Sequence, residues 1–141
     1  MSYSGVGLHS GNRVNMSFHP APPNSGIRFR RVDLEGKPEI EARIENVVQT
    51  NRSTTIGKGN AKIQTVEHVL ATFAGMGIDN AVVELDANEP PIGDGSAREY
   101  CRMSSAPASR RRRNPARSSA SPSRWNCRRR SRSSRFSPTT G

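Results

Sequence analysis

Two neighbouring residues, Glu67 and His68, are of types suited to one chemistry, hydrolysis assisted by a metal ion. An imidazole supplies a neutral nitrogen ligand, and a carboxylate beside it can take the proton from an activated water. From Thr65 onward Val66, Leu70, Phe73 and Ala74 recur at helical spacing, with the Thr65 hydroxyl placed near the start and Gly75 and Gly77 at the end. At about 100° per residue, Ile63, Val66, Leu70, Phe73 and Ala74 share one arc, and Glu67 falls inside it. His68 points about 100° away, toward the edge of that stripe. An unpaired carboxylate on a buried stripe costs several kcal/mol, so the spacing predicts that Glu67 meets a cation, a metal or a water-filled cavity. A catalytic zinc normally takes three protein ligands, and this helix carries one. On spacing alone an ordinary helix-edge histidine is therefore the leading reading of His68.

The elements that must hold this helix are mostly strands. Gly5, Gly7 and Gly11 bracket His9, a glycine density that predicts a tight turn or a close backbone approach rather than a regular element. Val14, Met16 and Phe18 (or His19) alternate with Asn15 and Ser17, the period of a half-buried strand, and Pro20 to Gly26 supply a turn. Ile27, Phe29 and Arg31 alternate with Arg28 and Arg30, which predicts a second strand paired antiparallel to the first. Ile40, Ala42 and Ile44 predict a strand running irregularly toward Asn51. Ser53 to Ile56 turn through Gly57-Lys-Gly-Asn into Ala61 to Ile63 as a hairpin. After the helix, Ala81 to Leu85 read as a strand, and Glu89 to Ser96 as a loop into a second helix beginning near Ala97. Strands first and helices later predict an α+β fold, a two-layer sandwich of a mostly antiparallel or mixed sheet with two helices on one face.

Composition divides the chain near Met103. Residues 1–100 carry 10 Lys and Arg against 12 Asp and Glu, whereas residues 101–141 carry 12 Arg and no acid, Lys or His. The net charge of +10 therefore belongs to the second part and says nothing about the partners of the first. With no Leu, Ile or Val, residues 104–141 cannot bury enough apolar surface to offset the entropy of ordering and are expected to be a disordered Arg/Ser-rich tail. A change of reading frame explains such a tail. Trp125-Asn-Cys-Arg, reread one base earlier, encodes Val/Leu/Met-Glu-Leu-Gln, and Ser104 to Ser109 can be reread as Ile-Lys-Arg-Ala-Gly-Ile, a continuation of the second helix. The alternative is a nucleic-acid-binding tail whose arginines pair with phosphates while Trp125 stacks on a base. Cys101 and Cys127 form no metal-type or redox-type spacing. No run approaches a membrane span, and Met1 to Ser4 lack the pattern of a secretory signal, so a cytoplasmic location is expected.

Three separated motifs carry a resemblance: Gly5-Val-Gly-Leu-His-Ser-Gly11; Thr65-Val-Glu-His-Val-Leu70 with Ala74-Gly75; and Gly77-Ile-Asp-Asn-Ala-Val-Val-Glu84 with Pro91-Ile-Gly-Asp-Gly-Ser96. In this order and at these distances, over residues 5–100, the chain resembles the bacterial UDP-3-O-acyl-N-acetylglucosamine deacetylases of lipid A synthesis. The resemblance implies removal of an N-acetyl group from a UDP-linked acylated glucosamine, with one Zn2+ and an activated water. It also implies His68 as a zinc ligand and Glu67 as the general base. His9 and Asp94 lie in the same motifs; each has a plain alternative, His9 satisfying a glycine-rich turn and Asp94 capping the second helix.

The family's other ligands, a His and an Asp, belong to a second domain of similar architecture that no residue here matches. The expectation is thus a deacetylase N-terminal domain over 1–103, incomplete at its start because the family has a further N-terminal strand. Its zinc site is incomplete and it is inactive as it stands. No specific nucleic acid is expected as a partner, and no motif specifies an oligomeric state.

Overall fold

The structure is a computed structural model that describes residues 2–104. The expectations of a disordered tail, a frame change and a nucleic-acid-binding segment concern residues beyond Ser104 and lie outside the described residues. Ser104 itself ends the last helix, buried, its hydroxyl donating to Tyr100 O at 2.9 Å.

Strands β1 (Ser2–Val6), β2 (Arg13–Pro20), β3 (Ile27–Arg31), β4 (Glu39–Glu41) and β8 (Ala81–Leu85) form a five-stranded sheet of order β1-β2-β8-β3-β4. A second sheet holds β5 (Val47–Gln49), β6 (Thr55–Lys58) and β7 (Ala61–Ile63) in that order. The helices are α1 (Glu67–Met76) and α2 (Arg98–Ser104). This is the expected α+β sandwich, with its β layer divided into two sheets.

Period-2 alternation survives in the fold because each strand has one face to bury. Val14 and Met16 of β2, Phe29 of β3, and Ala81, Val83 and Leu85 of β8 all point into one core. Phe18 completes the β2 face, its ring 4.8 Å from that of Phe73 on α1 in an edge-on contact and 6.3 Å from that of Tyr100 on α2. Both helices thus cover the same face of the sheet. Burial of a side chain the size of Phe73 contributes about 1.5–3 kcal/mol.

The opposite face carries a cross-strand ladder of charge. Arg28 bridges Glu41 at 3.0 Å and Glu39 at 3.4 Å, while Arg30 pairs with Glu39 and, at 2.7 Å, with Glu84. Register explains the choice: Arg28 lies opposite Glu41, and Arg30 opposite both Glu39 and Glu84. The Arg30 guanidinium holds the Glu39 carboxyl below the usual carboxylate range.

Three expectations are corrected. β2 and β3 do not pair; β8 lies between them, antiparallel to β2 and parallel to β3. Alternation reports which face of a strand is buried, not which strand is its neighbour, and the apolar β8 is stabilised most with a partner on each edge. The run from Ile40 also breaks. Ala42 N–H still donates to Ile27 O at 2.9 Å, but the chain then enters a 3-10 turn at Ile44–Asn46 that leaves Ile44 79% exposed. Asn46 holds that turn, its side-chain amide donating to Glu41 O at 2.8 Å. Finally, Gly5 and Val6, expected in the glycine-rich turn around His9, instead end β1, which pairs with β2 from Ser2↔Ser17 to Val6↔Arg13. The expected hairpin does form, with Lys58 opposite Ala61 and Gly59 at φ 60° in the turn.

Candidate functional site

The site is built where four segments meet at the start of α1. Thr54, just before β6, holds the helix entry twice: its carbonyl accepts the Val66 N–H at 3.4 Å, and its own N–H donates to Glu67 Oε2 at 3.1 Å. Glu67 opens the first turn of α1, where a negative charge is favoured by the helix dipole. Among the described residues, Glu67 Oε1 accepts no bond and the His68 ring makes none. Both side chains are half-buried. The first turn of α1 therefore carries an uncommitted carboxylate oxygen on Glu67 and, on the next residue, an imidazole with no bond among the described residues.

Glu67 does not lie on the buried stripe, as the spacing predicts it should. The buried residues of α1 are Val69, Thr72 and Phe73, preceded by Val66, while Leu70 is half-buried and Ala74 exposed. Ile63 belongs to β7, and at about 100° per residue the buried arc of Val66, Val69, Thr72 and Phe73 faces away from Glu67. Thr72 sits comfortably inside because its hydroxyl donates to His68 O at 2.8 Å. Glu67 thus requires no buried counter-charge.

Thr65 does not cap α1 either. The capping position is Val66, which supplies no side-chain bond, and Thr65 stands at φ 55° with its hydroxyl donating 2.7 Å to Glu89 Oε1. Glu89 is fully buried. It also accepts the His9 N–H at 3.0 and 3.1 Å and the Ser10 N–H at 2.8 Å. Burial alone would push its carboxyl up, but the donors from Thr65, Ser10 and His9 outweigh burial and hold it below the usual carboxylate range.

Gly5 and Gly7 are explained by this knot. A Cβ on Gly5 would stand 2.8 Å from Pro91 Cβ, and one on Gly7 would stand 2.5 Å from Glu89 Oε2. The expected close backbone approach is therefore real: Gly5 lies against Pro91, and Gly7 against the Ser10 hydroxyl and the Glu89 carboxylate. Nothing in the local sequence marks Glu89 as buried; the paired glycines far away were the one available signal.

His9 reaches the knot through its backbone, and its side chain is exposed. Asp94 accepts the Ser96 N–H at 2.9 Å and its hydroxyl at 2.6 Å, and Ser96 in turn accepts the Arg98 N–H at 3.2 Å, so Ser96 takes the first backbone N–H of α2 while Asp94 meets the Arg98 guanidinium at 4.0 Å. Glu67 and His68 follow one another in the first turn of α1. Among the described residues, Thr65 and Glu89 link the entry of that helix to the His9 loop. Among the described residues no three His, Cys, Asp or Glu side chains gather closely enough to hold a metal.

Fold and site define a class: an α+β sandwich domain that presents an acid–histidine pair at the opening of a helix. The family model described as LpxC: UDP-3-O-acyl N-acetylglycosamine deacetylase matches residues 1–141, and the chain belongs to that family. It is 57% identical over 94 residues to the UDP-3-O-acyl-N-acetylglucosamine deacetylase of Methylococcus capsulatus, a match covering 67% of this chain and 31% of that protein. The protein of the same name from Pseudomonas entomophila is 56% identical over 94 residues, with the same coverage of 67% and 31%. The chain thus aligns with about 31% of the length of the curated relatives it matches.

Proposed function

We propose that this chain supplies part of the active site of a zinc-dependent UDP-3-O-acyl-N-acetylglucosamine deacetylase, with Glu67 as general base and His68 as one metal ligand. The observation that carries the reading is a Glu67 oxygen left uncommitted and, on the next residue of the same helix opening, a His68 ring with no bond among the described residues, in a chain of this family. A bound zinc would polarise the amide carbonyl and make water a stronger acid. Glu67, steadied at Oε2 by the Thr54 N–H, would take the proton at Oε1 and pass it to the leaving amine. The donor set fits a zinc only in part, since His68 supplies one nitrogen and the remaining ligands would come from outside the described residues.

The substrate is a UDP-linked acylated N-acetylglucosamine, and the chemistry belongs to the cytoplasm, where nucleotide sugars are made. No helix among the described residues is long and apolar enough to cross a membrane. With one ligand the chain as it stands would be inactive, and the compositional break near Met103 supports a change of frame there; sequencing the gene through that codon tests it. For the activity, acetate release from the UDP-linked substrate is measured with added Zn2+. The purified chain is expected to release none and to bind zinc under chelator competition no better than its His68→Ala variant. Turnover unaffected by Glu67→Gln would overturn the assignment of the base, and turnover lost in that variant would overturn only the inactivity.

A further inference from the structure

Glu89 is the one carboxylate in the described residues with no exposure at all, and neither of its oxygens is idle. Oε1 accepts from the His9 N–H and the Thr65 hydroxyl, and Oε2 from the His9 and Ser10 N–H groups. The bonds run in two directions. Two successive backbone amides come from the Gly7–Gly11 loop, an arrangement that favours an anion. The hydroxyl comes from Thr65, two residues before the proposed base. We propose that Glu89 is a positioning residue, tying the Gly7–Gly11 loop to the Thr65 turn and so setting where α1 presents Glu67 and His68. This role rests on the deacetylase reading of those two residues.

The backbone at Thr65 is what makes the tie consequential. A β-branched residue at φ 55° is held in a conformation it rarely adopts, and such strain persists only where surrounding bonds over-determine it. The direction in which the chain enters α1 depends on that dihedral. Two bonds secure it: the Thr65 hydroxyl on Glu89, and Gln64 N–H donating to Asn88 O at 2.8 Å. Both acceptors lie in one segment, which Ile92 N–H binds in turn to Val6 O at 2.9 Å. The carboxylate also shares the space beside Gly7 with the Ser10 hydroxyl, so a side chain at Gly7 would crowd the glutamate. A neutral side chain of the same shape weakens these contacts, because charge-assisted bonds to an ionised acceptor are roughly twice as strong as neutral ones.

The test uses the full 141-residue chain, isotopically labelled, with no metal or substrate added. In Glu89→Gln, amide exchange at His9 and Ser10 is expected to quicken by about tenfold or more, and the backbone signals of Glu67 and His68 and the His68 ring protons are expected to move with it. Thr65→Val cuts only the helix side, so Glu67 and His68 should shift while His9 and Ser10 keep their protection. Thr65→Ser, which keeps the hydroxyl, should restore the original Glu67 and His68 signals. A purely structural glutamate would lower the unfolding midpoint of a folded Glu89→Gln protein and leave the Glu67 and His68 signals in place; that result overturns the proposal. Should Glu89→Gln fail to fold, unmoved Glu67 and His68 signals in Thr65→Val would overturn it equally. These signals need no turnover, so turnover unaffected by Glu67→Gln would reject the assignment of the base without touching the loop-to-helix tie.

Discussion

Glu67 and Glu89 flank the same helix entry and differ in nearly every respect that matters. Glu67 is half-buried, accepts one backbone N–H and keeps an oxygen uncommitted. Glu89 is fully buried, has both oxygens bonded and is held ionised by its donors. A group that must exchange protons needs an open oxygen and contact with water. A group that must fix geometry needs the reverse, because each committed lone pair removes a way for it to move. In the roles proposed for them the two carboxylates divide those tasks, and sequence alone pointed to the first while passing over the second.

The sharpest way to break this comparison is to exchange charge for neutrality at Glu67. In a complete deacetylase carrying this domain, Glu67→Gln should cut acetate release by roughly 10²–10⁴-fold, while a urea titration should show stability changed by less than about 1 kcal/mol. A large loss of stability would make Glu67 a structural residue like its counterpart. Next in size is Glu89→Ala, which strands two buried amides and a hydroxyl at about 1–3 kcal/mol each; a loss of about 3 kcal/mol or more is expected in the same titration. Stability within 1 kcal/mol of the parent would show that water replaces the carboxylate.

Acid separates the two further. The folded-state value of Glu89 is depressed, so its contribution is fully present above the unfolded value of 4.5 and is lost as pH falls below that through the folded value. Glu39, Glu84 and Asp33 are depressed too, each bound to an arginine, and they share the same acid window. Denaturation followed from pH 6 downward should therefore show stability falling below about pH 4.5, and Glu89→Gln should flatten part of that slope. An unchanged slope would mean Glu89 is not ionised in the fold. The smallest effect belongs to the outer face of the sheet, where Arg30→Ala should cost about 1 kcal/mol or less despite its two acidic partners. A larger loss would place the ladder among the elements that hold the site.

Much of the fold was legible because alternation and helical spacing report burial directly. Val14, Met16 and Phe29 were readable as inward-facing, as were the β8 strand and the hairpin at Gly59. Pairing was not, since β8 reaches its place between β2 and β3 only after the intervening chain has turned back. The helix phase was not legible either, because residue type does not report burial here: Ala74 is apolar but exposed, whereas Thr72 is polar but buried with its hydroxyl bonded inside the helix. Of the site, the Glu67–His68 pair was visible as a dipeptide of suitable types, while the bond from Thr54 that steadies Glu67 depends on two segments meeting in space.

By itself the sequence determined the residue types at the helix opening, the strand faces and the glycines at Gly5 and Gly7, all properties of local chemistry and period. Only the tertiary structure decided what those glycines were for. Pro91 lies against Gly5 and the buried carboxylate of Glu89 against Gly7, and that carboxylate bonds to His9, Ser10 and Thr65 because folding took it out of water and left it these donors as partners.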